Sequence, residues 1–256
     1  MPQPTDLSVK VRLLRFETSW ELVTASLLLF FNCFWFIAKV VLVVYLPASL
    51  LREGLFALTD SESADHYDDL IDMVFDALIT PAILMGIVQY MKNKTFPTLR
   101  EAYGFGWAKW GLVWARTFKA ECLALLGSLM LVWPGILAGI AYALVPYAVC
   151  FESQTQKSSL RRSRELTLGY RWRIVWTGLL FALPVYAFNS IPELWVTSVP
   201  LALPVTLLIK AMNIFINCLA NILAESLVVA YLLLYLKSVN DKSPRPRESW
   251  WLGWAK

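Results

Sequence analysis

Apolar stretches long enough to cross a lipid bilayer alternate along this chain with connectors that are, in turn, strongly basic and nearly free of cations. A helix needs about 20 mostly apolar residues to cross a hydrocarbon core of roughly 30 Å. Hydrophobic residues make up 58% of the chain and charged residues only 16%, which lies outside the usual range of water-soluble domains. We therefore predict an all-α, polytopic integral membrane helix bundle with six transmembrane helices. The predicted spans cover residues 27–51, 70–91, 116–133, 135–151, 174–191 and 205–236.

The distribution of Lys and Arg predicts the orientation of this bundle. Cations concentrate in the N-terminal segment, in residues 92–119, in residues 157–173 and after residue 236. Such connectors favour the cytoplasmic side during insertion. The intervening connectors are acidic or uncharged, and the one between the third and fourth spans is a predicted tight turn at Trp133-Pro134-Gly135. Both termini are therefore predicted to be cytoplasmic, with residues 1–240 as one transmembrane domain and residues 241–256 as a basic-aromatic tail.

Three tryptophans, Trp107, Trp110 and Trp114, precede the third span. Tryptophan is enriched at the headgroup level of a bilayer, because its ring is apolar and its N–H is polar. We expect these side chains to mark the cytoplasmic end of that span.

One segment resembles a known family. It comprises Trp133-Pro134-Gly135-Ile136, an apolar helix that ends at Phe151-Glu152, and the run SLRRSRELTLGYRWRI from Ser159 to Ile174. This pattern resembles a group of uncharacterised bacterial inner-membrane proteins, and it is similar to the transmembrane portion of membrane-anchored glycerophosphodiester phosphodiesterases. The resemblance implies a location in the bacterial inner membrane. We expect it to imply no activity, because no stretch of these residues is long or polar enough for the soluble phosphodiesterase domain, and His66 is their single histidine.

Polar side chains inside the predicted spans are candidate functional groups, because ionisable residues in a bilayer are costly and need partners. The last span carries three asparagines and a glutamate at every fourth position, which places them on one helix face. The intramembrane candidates are Lys39, Asp72, Asp76, Lys210, Asn213, Asn217, Asn221 and Glu225.

Depth along the spans predicts two ion pairs among these candidates. Lys39 and Glu225 lie at about the same distance from the cytoplasmic side, and we predict that they pair. Lys210 lies near the level of Asp72 and Asp76, which makes a second candidate pair. The seam of polar side chains could form a path for a proton, an ion or a lipid headgroup. It could also hold the helices together at about 0.6 to 2 kcal/mol per hydrogen bond, which is the interpretation that we favour.

A cluster of arginines lies between the fourth and fifth spans. Guanidinium groups match phosphate bidentately, and clustered cations beside a membrane attract anionic lipid at about 1 kcal/mol per charge. The cluster could bind a phospholipid headgroup, or it could act only as a topology signal. Membrane lipids are therefore the expected partners, and nucleic acid is not. The lipid-phosphate candidates are Arg161, Arg162, Arg164, Arg171 and Arg173.

Enzyme motifs are missing from the sequence. It contains no G-x-S-x-G, H-E-x-x-H, P-loop or G-x-G-x-x-G pattern. An intramembrane aspartyl protease needs two facing carboxylates, but Asp72 and Asp76 share one helix, and no other predicted span supplies the facing acid. We therefore expect no catalytic residue, no cofactor, no metal site and no enzyme activity. The predicted role is a membrane scaffold or accessory protein at the lipid interface, and the alternative is a small transporter or lipid-handling protein.

The predicted orientation can be mapped with reporter fusions. A fluorescent protein fused after Lys256 is expected to fold and fluoresce, and alkaline phosphatase fused at the same place is expected to stay inactive, because both reporters would lie in the cytoplasm. Active phosphatase at either end of the chain would contradict the predicted architecture.

Overall fold

The computed structural model describes residues 18–56, 61–152, 158–189 and 203–242. Within these ranges, side chains are described except for residues 51–56, 61–72, 188–189, 203–207, 209–210 and 242. All regular secondary structure in the described part of the chain is α-helical. The helices are α1 (Ser19–Phe56), α2 (Ser61–Asn93), α3 (Leu99–Met130), α4 (Val132–Tyr142), α5 (Val145–Phe151), α6 (Ser159–Thr167), α7 (Arg171–Asn189) and α8 (Leu203–Lys242).

Four of the described stretches are long and apolar enough to cross a membrane. They are Ser19–Leu50 in α1, Met73–Asn93 in α2, Val132–Phe151 across α4 and α5, and Ala211–Asp241 in α8. These stretches overlap the predicted first, second, fourth and sixth spans. Most of the predicted third span lies in α3, and the described part of the predicted fifth span, residues 174–189, lies in α7; neither of these charge-bearing helices is among the four. Six spans and cytoplasmic termini stay predictions.

The helices α3 and α4 form a hairpin whose bend differs from the predicted one. The chain turns at Leu131, which is extended with φ −162° and ψ 140°. Residues 133–135 form the first turn of α4 instead of a connector, and Pro134 fits there because the first turn of a helix does not use its N–H groups. A Cβ atom on Gly135 would lie 2.7 Å from the Cα of Ser128, so the two helices approach as closely as their backbones allow.

The predicted fourth span is broken between α4 and α5. Pro146, in the first turn of α5, has no N–H to donate to the carbonyl of Tyr142, where a continuous helix would need a hydrogen bond. One residue earlier, the carbonyl of Ala141 accepts hydrogen bonds from the hydroxyl of Ser163 at 2.8 Å and from that of Thr167 at 3.5 Å. These two hydrogen bonds fix the short basic helix α6 against the end of α4.

The first half of α3 packs along α2. A Cβ atom on Gly106 would lie 2.7 Å from the carbonyl oxygen of Leu78, and Trp110 Nε1 donates to the carbonyl of Val74 at 3.0 Å. Trp107 remains exposed, but Trp110 points into the bundle, towards the predicted outer end of the second span. The N–H of Trp110 thus has a backbone partner inside the protein, and the expectation that this side chain marks the cytoplasmic headgroup level stays a prediction.

The hairpin geometry predicts opposite effects for two glycines one turn apart in α4. Gly135→Ala forces its methyl group into Ser128 and is expected to destabilise the fold by about 1 to 3 kcal/mol, the usual cost of overpacking. Gly139→Ala meets no atom within 4 Å and should be neutral or stabilising by up to about 1 kcal/mol, because alanine favours the helix. Thermal unfolding in detergent measures both, and equal effects would contradict the close approach.

Candidate functional site

A pocket of about 780 Å³ opens between α2, α3 and the first turn of α5. Its volume suits a drug-sized organic molecule. Two helix faces build most of its wall, because residues four apart lie above one another on a helix. On α2 this face carries Asp76 and Thr80, and on α3 it carries Thr117, Glu121 and Leu125. The remaining wall residues are Met73, Ala77, Val113, Phe118, Cys122, Ala124, Ser128 and Pro146.

Two carboxylates, Asp76 of α2 and Glu121 of α3, line this pocket, and a third, Glu225 of α8, lies outside its wall within electrostatic range of Asp76. Asp76 and Glu121 are exposed side chains of its wall, and they lie close enough to repel each other. Glu225 of α8 is only 6% exposed and lies close enough to Asp76 for the same repulsion. The expectation that no other span supplies an acid facing Asp76 is therefore wrong. Spacing along one helix could not reveal it, because the facing acids come from helices distant in sequence.

The surroundings of the three carboxylates differ. The Tyr45 hydroxyl of α1 donates a hydrogen bond to Oδ1 of Asp76. Glu225 Oε2 is buried and has no hydrogen-bond partner among the described residues. The hydroxyl of Tyr147, which lies close to Glu225, donates instead to the carbonyl of Val228 at 3.1 Å. Glu225 is thus the least satisfied polar side chain of this group.

The predicted pair of Lys39 and Glu225 does not form. Lys39 is exposed on α1, whereas Glu225 is buried next to Asp76. Equal depth along two helices does not bring side chains together when they occupy different faces. The second candidate pair cannot be located, since the side chains of Asp72 and Lys210 lie outside the described residues.

The asparagine stripe and the pocket are separate surfaces. Asn213, Asn217 and Asn221 are half-buried on the turns of α8 that precede Glu225. None of them belongs to the pocket wall. Of the seam predicted from the sequence, only Glu225 lies close enough to Asp76 to affect the candidate site. The three asparagines lie elsewhere on α8 and take no part in it.

The five arginines do not act as one cluster. Arg162 is held inside the fold, with Nε 2.8 Å and 2.9 Å from the two carboxylate oxygens of Glu152. The Tyr235 hydroxyl donates to the same carboxylate at 3.1 Å, so this contact joins α6, the end of α5 and α8. Arg161 lies 3.4 Å from Glu165 with its side chain 73% exposed, and Arg164 is exposed. Arg161 and Arg164 therefore remain open to a headgroup, whereas Arg162 has a structural partner.

The other two arginines lie at the start of α7. Arg173 stands over the ring of Tyr170 at 5.6 Å, and Arg171 Nε is buried with no hydrogen-bond partner among the described residues. The hydroxyl of Tyr170 also contacts the carboxylate of Asp241 near the end of α8. Burial and this neighbouring carboxylate raise the pKa of Tyr170, which stays protonated at neutral pH. These contacts tie the start of α7 to the end of α8.

Sequence reasoning missed Glu121, Tyr45 and Thr117 as parts of the site. In the sequence, Glu121 is one of several charges near the start of the predicted third span, but Thr117 and Glu121 share a face of α3. That polar spacing could have identified a second acidic face. Nothing in the sequence could have shown that Tyr45 meets Asp76, because the two residues belong to different helices.

No family model matches this chain, and no curated protein or solved structure matches it either. The resemblance to bacterial inner-membrane proteins therefore rests on the residues of segment 133–174 alone.

The arginine contacts predict that neighbouring substitutions separate stability from lipid binding. Arg162→Gln is expected to lower the free energy of unfolding by about 1 to 3 kcal/mol, because it leaves the Glu152 carboxylate without its cation. Arg164→Gln on the exposed face should change it by no more than about 0.5 kcal/mol. Thermal unfolding in detergent provides the measurement, and equal stability of both variants would contradict the structural role of Arg162.

Proposed function

We propose that the chain is a multi-pass protein of the bacterial inner membrane, with six spans and both termini in the cytoplasm. Four apolar helices of sufficient length support its place in a membrane. The alternation of basic and cation-poor connectors supports the orientation, and the resemblance of segment 133–174 supports the bacterial inner membrane.

Within that membrane we propose that the protein is a small, non-enzymatic transporter, whose helix bundle binds a solute in the acidic pocket and lets it pass. The observation that carries this proposal is a cavity of about 780 Å³ whose wall holds Asp76 and Glu121, with the buried Glu225 within electrostatic range of Asp76. A carboxylate at the centre of a transmembrane helix costs about 2.5 to 3.5 kcal/mol on insertion. Packing alone does not require such groups, and a scaffold does not require the cavity.

A second candidate function, a scaffold or accessory protein at the lipid interface, is favoured by the surface around α6 and α7. Arg161 and Arg164 are exposed there, and Trp172 and Trp176 expose 70% and 60% of their surface. Exposed cations beside exposed tryptophans are typical of a surface at the headgroup level, with anionic phospholipid as partner. Native mass spectrometry of the wild type and of a variant with Arg161 and Arg164 changed to Gln tests this role. Arg162 is left unchanged so that its structural contact with Glu152 is kept. Unchanged lipid retention in the variant would count against the scaffold role at the lipid interface.

Transport predicts that the pocket opens to both sides of the membrane in turn, and a native thiol can report this. Cys122 lies in the pocket wall, whereas the other three cysteines are buried elsewhere. A membrane-impermeant thiol reagent is expected to label Cys122 both in spheroplasts and in inside-out vesicles, because an alternating pocket exposes it to each side. Cys122→Ser is the control and should abolish labelling.

Labelling from one side only would contradict transport. It would leave a one-sided binding pocket and would favour the scaffold role.

A further inference from the structure

The charge and the shape of the pocket together indicate the class of molecule that it binds. We infer that the occupant is an organic cation with an apolar body, whose charged group lies against Asp76 and Glu121. This inference rests on the proposed transport function, and it names the substrate class of the same site.

The sign of the charge follows from the wall. Two carboxylates face the cavity, and the wall contains no Lys, Arg or His side chain. Within the described ranges, none of the three acids forms an ion pair. An anionic occupant would lie against like charges in surroundings of low dielectric constant, where repulsion is strong. A cation would gain the counter-ion contact that the fold itself leaves unmade.

The size and lining of the cavity favour an organic cation over a metal ion. No group of three or more His, Cys, Asp or Glu side chains among the described residues is arranged to hold a metal ion. The same wall presents apolar surface from Met73, Phe118 and Leu125, which a hydrated ion would not use. A molecule with a hydrophobic body and one cationic end uses both kinds of surface.

Asp76 in the wall and Glu225 behind it show where the cationic end lies. The Tyr45 hydroxyl occupies Oδ1 of Asp76, which leaves Oδ2 for the occupant. Glu225 is more than nine-tenths buried beside Asp76, and its Oε2 is without a hydrogen-bond partner in the described structure. Buried polar atoms are rarely left unpaired, and such an atom in a native fold needs an explanation. A cationic group at Asp76 supplies it, because that group brings positive charge next to Glu225.

Cys122 allows the charge preference to be measured without knowing the substrate. Two methanethiosulfonate reagents of similar size carry opposite charges, a trimethylammonium-ethyl group and a sulfonato-ethyl group. The Cys122 thiolate attacks the sulfur of the reagent, a mixed disulfide forms and methanesulfinate leaves. The ratio of the two rates at Cys122 is divided by the same ratio for free 2-mercaptoethanol, which removes the intrinsic reactivity of the reagents.

The expected normalised ratio is at least about tenfold in favour of the cationic reagent, because the acids attract it to the pocket. Glu121→Gln should bring the ratio down several-fold towards that of the free thiol. This side chain is exposed and has no hydrogen-bond partner among the described residues, so the variant is expected to fold. A ratio equal to that of the free thiol in the wild type would overturn the inference.

A second measurement uses only the wild-type protein. Tetraphenylphosphonium and tetraphenylborate have nearly the same shape and opposite charge. The phosphonium is expected to slow the labelling of Cys122 by the neutral reagent N-ethylmaleimide, and the borate is not. Equal protection by both ions, or protection by the borate alone, would overturn the cationic class.

The two proposals fail in different ways. Labelling from both sides of the membrane without a charge preference would keep transport and remove the cationic substrate. A charge preference with labelling from one side only would keep the cation site and remove transport.

Discussion

Polar groups inside this bundle find their partners within the protein, because hydrocarbon cannot accept or donate hydrogen bonds. The side chains that meet this need are mostly hydroxyls, and they act on backbone carbonyls of other helices. Tyr103 donates to Val40, and Tyr147 donates to Val228. Tyr231 donates to Ile174 at 3.3 Å in the same way. These bonds fix the helices to one another at positions where apolar packing alone would let them slide.

Against that background, the few unpaired polar atoms carry information. In the described part of the chain, buried side-chain atoms without a hydrogen-bond partner belong to Trp114, Thr117, Ser159, Arg171, Thr177 and Glu225, and two of these residues bear on the pocket. Thr117 lies in the wall of the pocket, and Glu225 lies next to the wall residue Asp76. The contrast with Glu152 is instructive, because that carboxylate is matched by Arg162 and Tyr235. The fold therefore satisfies the partly buried Glu152 at a structural contact, but it leaves the more deeply buried Glu225 unsatisfied.

The sequence predicts the helical class and the apolar stretches well, because hydrophobic length is a property of consecutive residues. Helix ends are predicted less well. The turn expected at residues 133–135 lies at Leu131, since Pro134 is accommodated inside the first turn of α4. Contacts between helices are predicted least well. Lys39 and Glu225 share a depth but not a face, whereas the packing of α2 against α3 places Asp76 and Glu121 in one pocket wall, and α8 brings Glu225 within electrostatic range of Asp76. A single sequence contains no signal for how each helix is rotated about its axis, and therefore for which of its faces meets a neighbouring helix.

The helix α3 shows how the needs of the membrane and of the site oppose each other. Arg116, Lys119 and Glu121 lower its apolarity, and α3 is not among the four stretches that meet the length and hydropathy of a span. One of these three charges, Glu121, belongs to the wall of the pocket. Local departures from the pattern that favours folding are expected at functional sites. The residue that makes α3 a poorer membrane helix is thus one of those that give the pocket its charge, which is why a search for apolar length alone passes over this helix.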